Sequence, residues 1–216
     1  TSGTVYEYYQ DNINMSALDN QGFLVNEFYV KNKYDQVFKC LWNSNDAPST
    51  VEPFFQPGTY GTNNIFQGID GYKWKYMFTV DLGLENKFMD STWIPLPSGA
   101  FAIGAQTEEQ TIGSGDIEVI NVIDGGFGYK PANSQIFVTI TGDGTGASAV
   151  AVVDNETDVI SDIVVTNAGK NYTYANVTIT TANSQIGYGA TAIAYVSPVG
   201  GHGSDPTSEL GAIHDM

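Results

Sequence analysis

Alternating apolar and polar residues mark the clearest strand in the first half of the chain. From Tyr72 to Val80 every second residue is aromatic or aliphatic, and a period of two is typical of a β-strand with one face in a core. That face would carry Tyr72, Trp74, Tyr76, Phe78 and Val80. The segment 37–42 shows the same alternation and is predicted to be the partner strand, with Phe38, Cys40 and Trp42 on a common face.

One short helix is predicted after the aromatic strand, over Leu82 to Asp90. Leu84 and Phe88 are four residues apart and would meet on one helix face, and the prolines that follow from Pro95 demand extended backbone. The stretch between the two strands, residues 43–71, is rich in Pro, Gly and Asn and is predicted to be a long loop. Loops of this length are often functional or lie against a partner.

The second half of the chain contains an internal repeat with an offset of 43 residues. Two pairs of segments match at this offset, 117–129 with 160–172 and 146–153 with 189–196. Between them, Ile136–Thr141 and Val177–Thr180 are predicted to be equivalent strands, displaced by a small insertion. We therefore predict two copies of one antiparallel unit of three strands, a stacked β-repeat packed side by side. The predicted shared core contains Ile120, Val122, Ile163 and Val165.

Glycines and alanines recur at fixed places in the repeat. Gly126 and Gly169 stand at the same distance before Tyr129 and Tyr172, where a residue with positive φ would close a turn. Alanine alternates through the last strand of each copy. Small side chains at every second position predict a close approach of neighbouring backbone.

The fold class predicted from these patterns is mainly β. An aromatic-rich β domain with one short helix would span residues 1–105, followed by a linker over 106–116, the two repeats over 117–196 and a Gly/Pro-rich tail over 197–216. The chain begins at Thr1 without an initiator Met or a signal pattern. Either the true N-terminus has been removed or the chain is a fragment, and we expect the chain to continue beyond Met216.

Composition narrows the function classes. The 216 residues include 42% hydrophobic residues, enough for a sizeable core. Eight lysines, no arginine and 24 acidic residues give a net charge of −16, which disfavours binding to nucleic acid and to anionic membranes. No apolar stretch reaches the ~18 residues of a membrane helix. A single cysteine excludes an internal disulfide and suits a reducing compartment.

No catalytic, cofactor-binding or metal site is predicted, and the chain is not expected to be an enzyme. The two histidines, His202 and His214, lie in the tail, and the pair Glu108-Glu109 lies in the linker. The Gly-rich segment 142–146 lacks the lysine and helix of a phosphate-binding loop and is predicted to be a hairpin turn. Oxygen ligands are concentrated at Asp124-Gly125-Gly126 and at residues 154–158, but their spacing does not match a calcium-binding hand.

Several segments occur in an order that resembles a known family. Val37–Asn43 is followed by Ala47–Pro53 and Asp70–Val80. Together they resemble a baseplate wedge subunit of T-even-type contractile-tailed bacteriophages, in the form carried by cyanophages and related marine myoviruses. Shorter segments similar to the same family are Asn86–Met89, Trp93–Pro95, Gly200–Pro206 and Glu209–Ala212. The repeats at 117–196 depart from the shorter form of that subunit.

The resemblance implies a structural protein of the virion without enzymatic activity. It would be assembled in the host bacterial cytoplasm, pair with a second copy within a wedge and bind other baseplate wedge proteins of the contractile tail. The alternative is a host-facing carbohydrate-binding or adhesin module of a phage tail, with the aromatic strands or the repeat turns as the sugar platform. An all-β glycosidase is a third reading.

Overall fold

The computed structural model is mainly β, as predicted. It describes residues 3–10, 20, 25–26, 28–57, 64–90, 94–95, 115–130, 136–182, 187–198 and 200–201. The chain divides into two compact units. The first unit contains Thr1–Ile112 together with His202–Met216, and the second contains Gly113–Gly201.

The first unit contains a four-stranded antiparallel sheet. Its strands are β1 (Tyr29–Lys31), β2 (Gln36–Trp42), β3 (Ile65–Gln67) and β4 (Lys73–Thr79), in the spatial order β1-β2-β4-β3. The predicted partners β2 and β4 pair at the centre, with Val37 opposite Phe78 and Cys40 opposite Trp74. All seven residues of β2 are buried, so this strand has protein on both faces.

The predicted aromatic face of β4 is buried in the core. Trp74 is only 1% exposed, and Tyr72, Phe38 and Cys40 are fully buried in the same cluster. The Tyr72 and Trp74 rings stack with centroids 5.4 Å apart. This burial confirms the prediction that the face packs in a core, and it leaves no exposed ring surface at Tyr72 or Trp74 for the alternative sugar platform.

Two lysines are buried in the central pair of strands. Lys39 and Lys75 lie directly opposite each other in β2 and β4, and both are at most 2% exposed. The Lys39 Nζ atom lies 3.5 Å from the ring centroid of Tyr9, a distance at which the aromatic face attracts the ammonium group.

The predicted helix forms but is shorter and more exposed than expected. It spans Leu82–Phe88 (α1), and Asp81 caps its start by accepting hydrogen bonds from the N–H groups of Gly83 and Leu84. Met89 adopts an extended conformation and ends the helix. No residue of α1 is buried, so the apolar pair at positions 84 and 88 adds nothing to the core.

The expectation of an uninterrupted loop over residues 43–71 is wrong, because this stretch includes β3. Phe66 of β3 lies opposite Trp74 and extends the sheet beyond β4. Three residues are too few to show a period in the sequence, which explains why the strand was not predicted. Residues 58–63 of the stretch lie outside the described residues.

The second unit contains a closed six-stranded barrel in the spatial order β10-β5-β8-β7-β6-β9. Every neighbouring pair in this barrel is antiparallel. Its strands are β5 (Ile117–Asp124), β6 (Ile136–Gly142), β7 (Ser148–Val153), β8 (Ile160–Asn167), β9 (Ala175–Thr181) and β10 (Thr191–Val196). The segment 142–146 joins β6 to β7 as the predicted hairpin connection. Closure leaves no strand of the barrel with an unpaired edge.

The 43-residue offset is present in the strand pairing. Ala194 lies opposite Ile120 in the pair β10–β5, and Ala151 lies opposite Ile163 in the pair β7–β8. Each of the six residue pairs between β5 and β10 has its counterpart 43 residues away between β7 and β8, and both register shifts recur. The two copies therefore have equivalent places in the barrel.

The side-by-side arrangement predicted for the two copies is wrong, because their strands interleave. β5 pairs with β10 and β8 of the second copy, and β8 pairs with β7 of the first. A sheet of three strands would expose two edges and part of its apolar face, whereas interleaving pairs every strand twice. The predicted shared core is present, with Ile120 and Ile163 buried and Val122 and Val165 packed against them.

Tyr129 and Tyr172 occupy equivalent buried positions in the barrel. The Tyr129 hydroxyl accepts a hydrogen bond from the N–H of Ala190 at 3.3 Å, and the Tyr172 hydroxyl accepts one from Ala147 at 3.4 Å. The preceding glycines have the predicted positive φ, 64° at Gly126 and 70° at Gly169. The alternating alanines of β7 and β10 pack against the barrel core, where a small barrel has little room.

The barrel begins and ends at two residues that are hydrogen-bonded to each other. The N–H of Asp116 donates to Ser197 Oγ, and the N–H of Ser197 donates to the carbonyl of Asp116, both at 2.9 Å. The predicted positions of Asp116 in the linker and of Ser197 in the tail are therefore wrong. Both belong to the barrel because these bonds continue the pairing of β5 with β10.

Candidate interaction surfaces

Asp124 and Asp154, from the two segments rich in oxygen ligands, accept hydrogen bonds within their own turns. Asp124 Oδ1 accepts from the N–H of Gly126, and Asp154 accepts from the N–H of Glu156 and the hydroxyl of Thr157. The bond from Glu156 holds the pKa of Asp154 below its usual range. Among the described residues, no group of three or more His, Cys, Asp and Glu side chains is placed to hold a metal ion. His202, His214 and Glu108-Glu109 lie outside those residues.

Cys40 is a core residue, as predicted. Its Sγ atom is fully buried in the aromatic cluster and donates to the carbonyl of Trp42 at 3.4 Å. Burial raises the pKa of the thiol far above its usual range. The nucleophilic thiolate form is therefore disfavoured at this position.

None of the described residues belongs to a helix with the length and apolar character needed to cross a bilayer.

The loop that follows β2 is fixed to the start of β4 by one carboxylate. Asp70 Oδ2 accepts hydrogen bonds from Ser49 Oγ and from the N–H groups of Thr50 and Val51, at 3.0 to 3.2 Å. The adjacent Gly71 has φ 84°, a conformation that glycine adopts without steric cost. Two segments that are 20 residues apart in sequence are thereby held together.

A second contact reinforces this attachment. The Tyr72 hydroxyl donates to the carbonyl of Ala47 at 2.7 Å and accepts from the N–H of Tyr6 at 3.3 Å. Burial raises the pKa of Tyr72, so its hydroxyl remains a donor over the neutral pH range. The loop near residue 47 is thus tied to the aromatic core.

Buried amide groups fix the next part of the same loop. The Asn32 and Gln36 side chains hydrogen-bond to each other at 2.9 Å. Asn32 also donates to the carbonyl of Pro53, and Gln36 exchanges two hydrogen bonds with the backbone of Phe55. The Phe55 ring stacks on Tyr76 with centroids 4.1 Å apart.

The anchored loop and the turn between β1 and β2 present an exposed aromatic pair, which we call the loop aromatic pair: Phe54 from the loop and Tyr34 from the turn. Tyr34 is 54% exposed and Phe54 is 46% exposed, and their rings meet edge-to-face with centroids 5.1 Å apart. Because Phe55 is buried on one side of the chain, Phe54 faces outward. Exposed aromatic residues on a fixed backbone are typical of energetic centres in protein interfaces.

An exposed ion pair lies beside the loop aromatic pair. Lys33 Nζ lies 3.3 Å from Glu52 Oε2 and 5.1 Å from the Tyr34 ring centroid. The Glu52 carboxylate raises the pKa of Lys33, and the backbone N–H of Lys33 lowers the pKa of Glu52. The surface therefore combines two rings with one charge of each sign.

A second exposed pair, which we call the rim aromatic pair, lies in the barrel unit. It consists of Phe127 and Tyr188, which are 61% and 66% exposed, with ring centroids 5.6 Å apart. Their backbones form an isolated antiparallel bridge. Neither aromatic pair was predicted individually, because single aromatic residues between Gly, Asn and Pro show no period. The rim aromatic pair lies in the repeat turns, which the sequence offers as an alternative sugar platform.

No match to the chain was found among family models, curated proteins or solved structures. The likeness to a baseplate wedge subunit therefore stays a prediction from the sequence.

Proposed function

We propose that this chain is a structural component of the baseplate wedge of a contractile phage tail. In this role it has no enzymatic activity, pairs with a second copy and binds other wedge proteins. It is assembled in the host bacterial cytoplasm and resides in the virion.

The observation that supports this role most directly is the bond network between two of the segments that resemble the family. The segments Ala47–Pro53 and Asp70–Val80 are distant in sequence but are joined by Asp70 and Tyr72. The two segments thus form one scaffold, which holds a loop in place. Such a scaffold suits an assembly protein.

The loop aromatic pair is the contact that we assign to a wedge partner. The hydrogen bonds of Asn32 and Gln36 fix the backbone beside Phe54 before any partner binds, so little ordering entropy would be lost on binding. The net charge of −16 opposes nonspecific association with other acidic surfaces. An aromatic centre beside one charge of each sign favours selective binding.

The location can be tested in a phage that encodes this chain. An epitope tag on the chain should be found by immunogold labelling at the baseplate of purified particles. Absence of the chain from purified tails, or labelling confined to the capsid, would contradict the proposal.

The contact can be tested by replacing both rings of the loop aromatic pair with Ala. We expect the Tyr34→Ala/Phe54→Ala protein to keep its melting temperature but to be incorporated poorly into baseplates. Ile69→Ala is the matched control, because Ile69 is 95% exposed in the same unit. Equal incorporation of the double variant and the control would exclude this surface as the contact.

A further inference from the structure

The internal repeat offers a direct comparison for the rim aromatic pair. The positions equivalent to Phe127 and Tyr188 are Lys170 and Thr145, each displaced by 43 residues. Phe127 and Tyr188 exchange two backbone hydrogen bonds of 3.0 and 3.1 Å, and Lys170 and Thr145 exchange two of 3.0 and 3.1 Å. The same bridge therefore forms with aromatic side chains in one copy and with polar side chains in the other.

The comparison of the two turns shows which features of the rim aromatic pair the barrel fold requires and which it does not. Since the turn at Lys170 forms without a ring, the barrel does not require the two aromatic side chains of the rim pair. Their exposure also rules out a major contribution to the core. Two large apolar rings held in solvent without a structural need indicate a binding surface.

The backbone beneath the rim aromatic pair is tightly packed. A Cβ atom on Gly126 would lie 2.5 Å from the carbonyl oxygen of Tyr188, and one on Gly187 would lie 2.6 Å from the ring of Tyr129. The two segments that carry the rings are thus packed against one buried tyrosine. This packing fixes the backbone positions of both exposed rings before a ligand binds.

We propose that Phe127 and Tyr188 bind a pyranose ring of a neutral carbohydrate. The C–H groups on one face of a pyranose are weakly positive and pack on the negative face of an aromatic ring. The two ring planes are inclined at 57°, so a sugar that stacks on one ring can touch the other with its edge. This inference concerns the second unit alone and does not rest on the assembly role proposed for the chain.

The surroundings favour a sugar over a protein as the occupant. Gly128 and Gly189, which flank the two rings, are exposed and carry no side chain. Among the described residues, these two glycines add no apolar side chain beside the rings, and the area of two rings is far below the ~800 Å² per partner of a stable protein interface. The strong negative charge of the chain disfavours acidic glycans, so the expected ligand is neutral.

The test uses the full chain and four probes: methyl glucoside, methyl galactoside, methyl mannoside and N-acetylglucosamine. Saturation-transfer NMR should show transfer from the protein to the C–H protons of at least one probe. The Phe127→Lys/Tyr188→Thr variant carries the residues of the equivalent turn and should weaken binding of that probe at least about tenfold. Its melting temperature should stay close to that of the unmodified chain.

Two further variants complete the design. Phe127→Leu/Tyr188→Leu keeps the surface apolar but removes the ring faces, and it should also lose the probe. The reverse exchange, Thr145→Tyr/Lys170→Phe, should add a second binding site in the other copy. The proposal is overturned if no probe binds, if either rim variant binds like the unmodified chain, or if Phe127→Lys/Tyr188→Thr unfolds the barrel. Capture of a protein through these rings without binding of any probe would overturn it as well.

Discussion

Ile120 lies directly opposite Ile163, its own equivalent in the other copy of the repeat. A residue can pair with its equivalent only where a two-fold axis passes between them. On another wall of the barrel, Thr139 pairs with Thr178, and both are the first threonine of a Val-Thr-Ile-Thr sequence. The barrel therefore has an approximate two-fold axis through these two pairs.

The symmetry predicts equal energetic roles for Tyr129 and Tyr172. Replacing either with Phe removes the acceptor for one backbone N–H, of Ala190 or of Ala147. Each substitution should lower the free energy of unfolding by about 0.5–1.5 kcal/mol. Chemical denaturation of the two variants checks this, and a clear loss in only one of them would show that the copies are not equivalent in energy.

The energetic cost of crowding a side chain at Gly126 can be measured separately from the cost of its positive φ. Gly126 and Gly128 both have positive φ, but a Cβ atom on Gly128 would meet nothing closer than 3.9 Å. Gly128→Ala should therefore show only the cost of the conformation, about 1–2 kcal/mol. Gly126→Ala should cost about 1–3 kcal/mol more because of overpacking. Equal stabilities in urea unfolding would contradict the close approach at Gly126.

Trp74 should be one of the main contributors to the stability of the first unit. Its side chain is buried between Tyr72 and Tyr6, and Trp74→Ala should cost about 3–5 kcal/mol because the core cannot refill the cavity. Ile69→Ala serves as the exposed control and should leave thermal unfolding unchanged. An unaltered melting temperature for the Trp74 variant would show that the aromatic strand is not the core.

Asp143 should contribute to stability in a pH-dependent manner. Hydrogen bonds from the hydroxyl and the N–H of Thr173 lower its pKa in the folded state. A carboxyl whose pKa is lowered by folding stabilises the protein above its unfolded pKa, and this contribution is lost as the pH falls through the folded pKa. The loss is thus expected below about pH 4.

The pKa of Asp143 can be followed directly by carboxyl NMR titration. Thr173→Val removes the hydroxyl donor and should raise the pKa of Asp143 toward its usual range. Asp143→Asn should make the stability of the barrel less dependent on pH in the acid range. Identical titration curves for Asp143 in the unmodified chain and in Thr173→Val would show that the hydroxyl is not the cause.

The sequence predicted those parts of the fold that leave a period or a repeat. The strand partners β2 and β4 were visible because Phe38 and Trp74 belong to alternating runs, and the turns at Gly126 and Gly169 were visible because they recur at a fixed offset. Strand β3 was missed because three residues show no period. Closure into one barrel was missed because the offset shows that two segments are alike, whereas it does not show which strands pair.

The interaction surfaces were less predictable than the fold. Phe54 and Phe55 are adjacent and identical in type, yet one is exposed and the other is buried. Phe55 is held toward the core by its backbone hydrogen bonds to Gln36 and by the stacking of its ring on Tyr76. Phe127 and Tyr188 are likewise far apart in sequence, and only the barrel fold brings their rings together.

The bonds between Asp116 and Ser197 also bear on how the chain is organised. The chain enters the barrel at Asp116 and leaves it at Ser197, and these two residues are neighbours. The first unit contains the chain up to Ile112 and again from His202. In sequence, the barrel is therefore a domain inserted into another domain, and adjacent ends make such insertions tolerable. A domain that contains such an insertion can gain, exchange or lose the inserted domain without a change in its own strand order. Joining residue 115 to residue 198 should thus leave the four-stranded sheet able to fold.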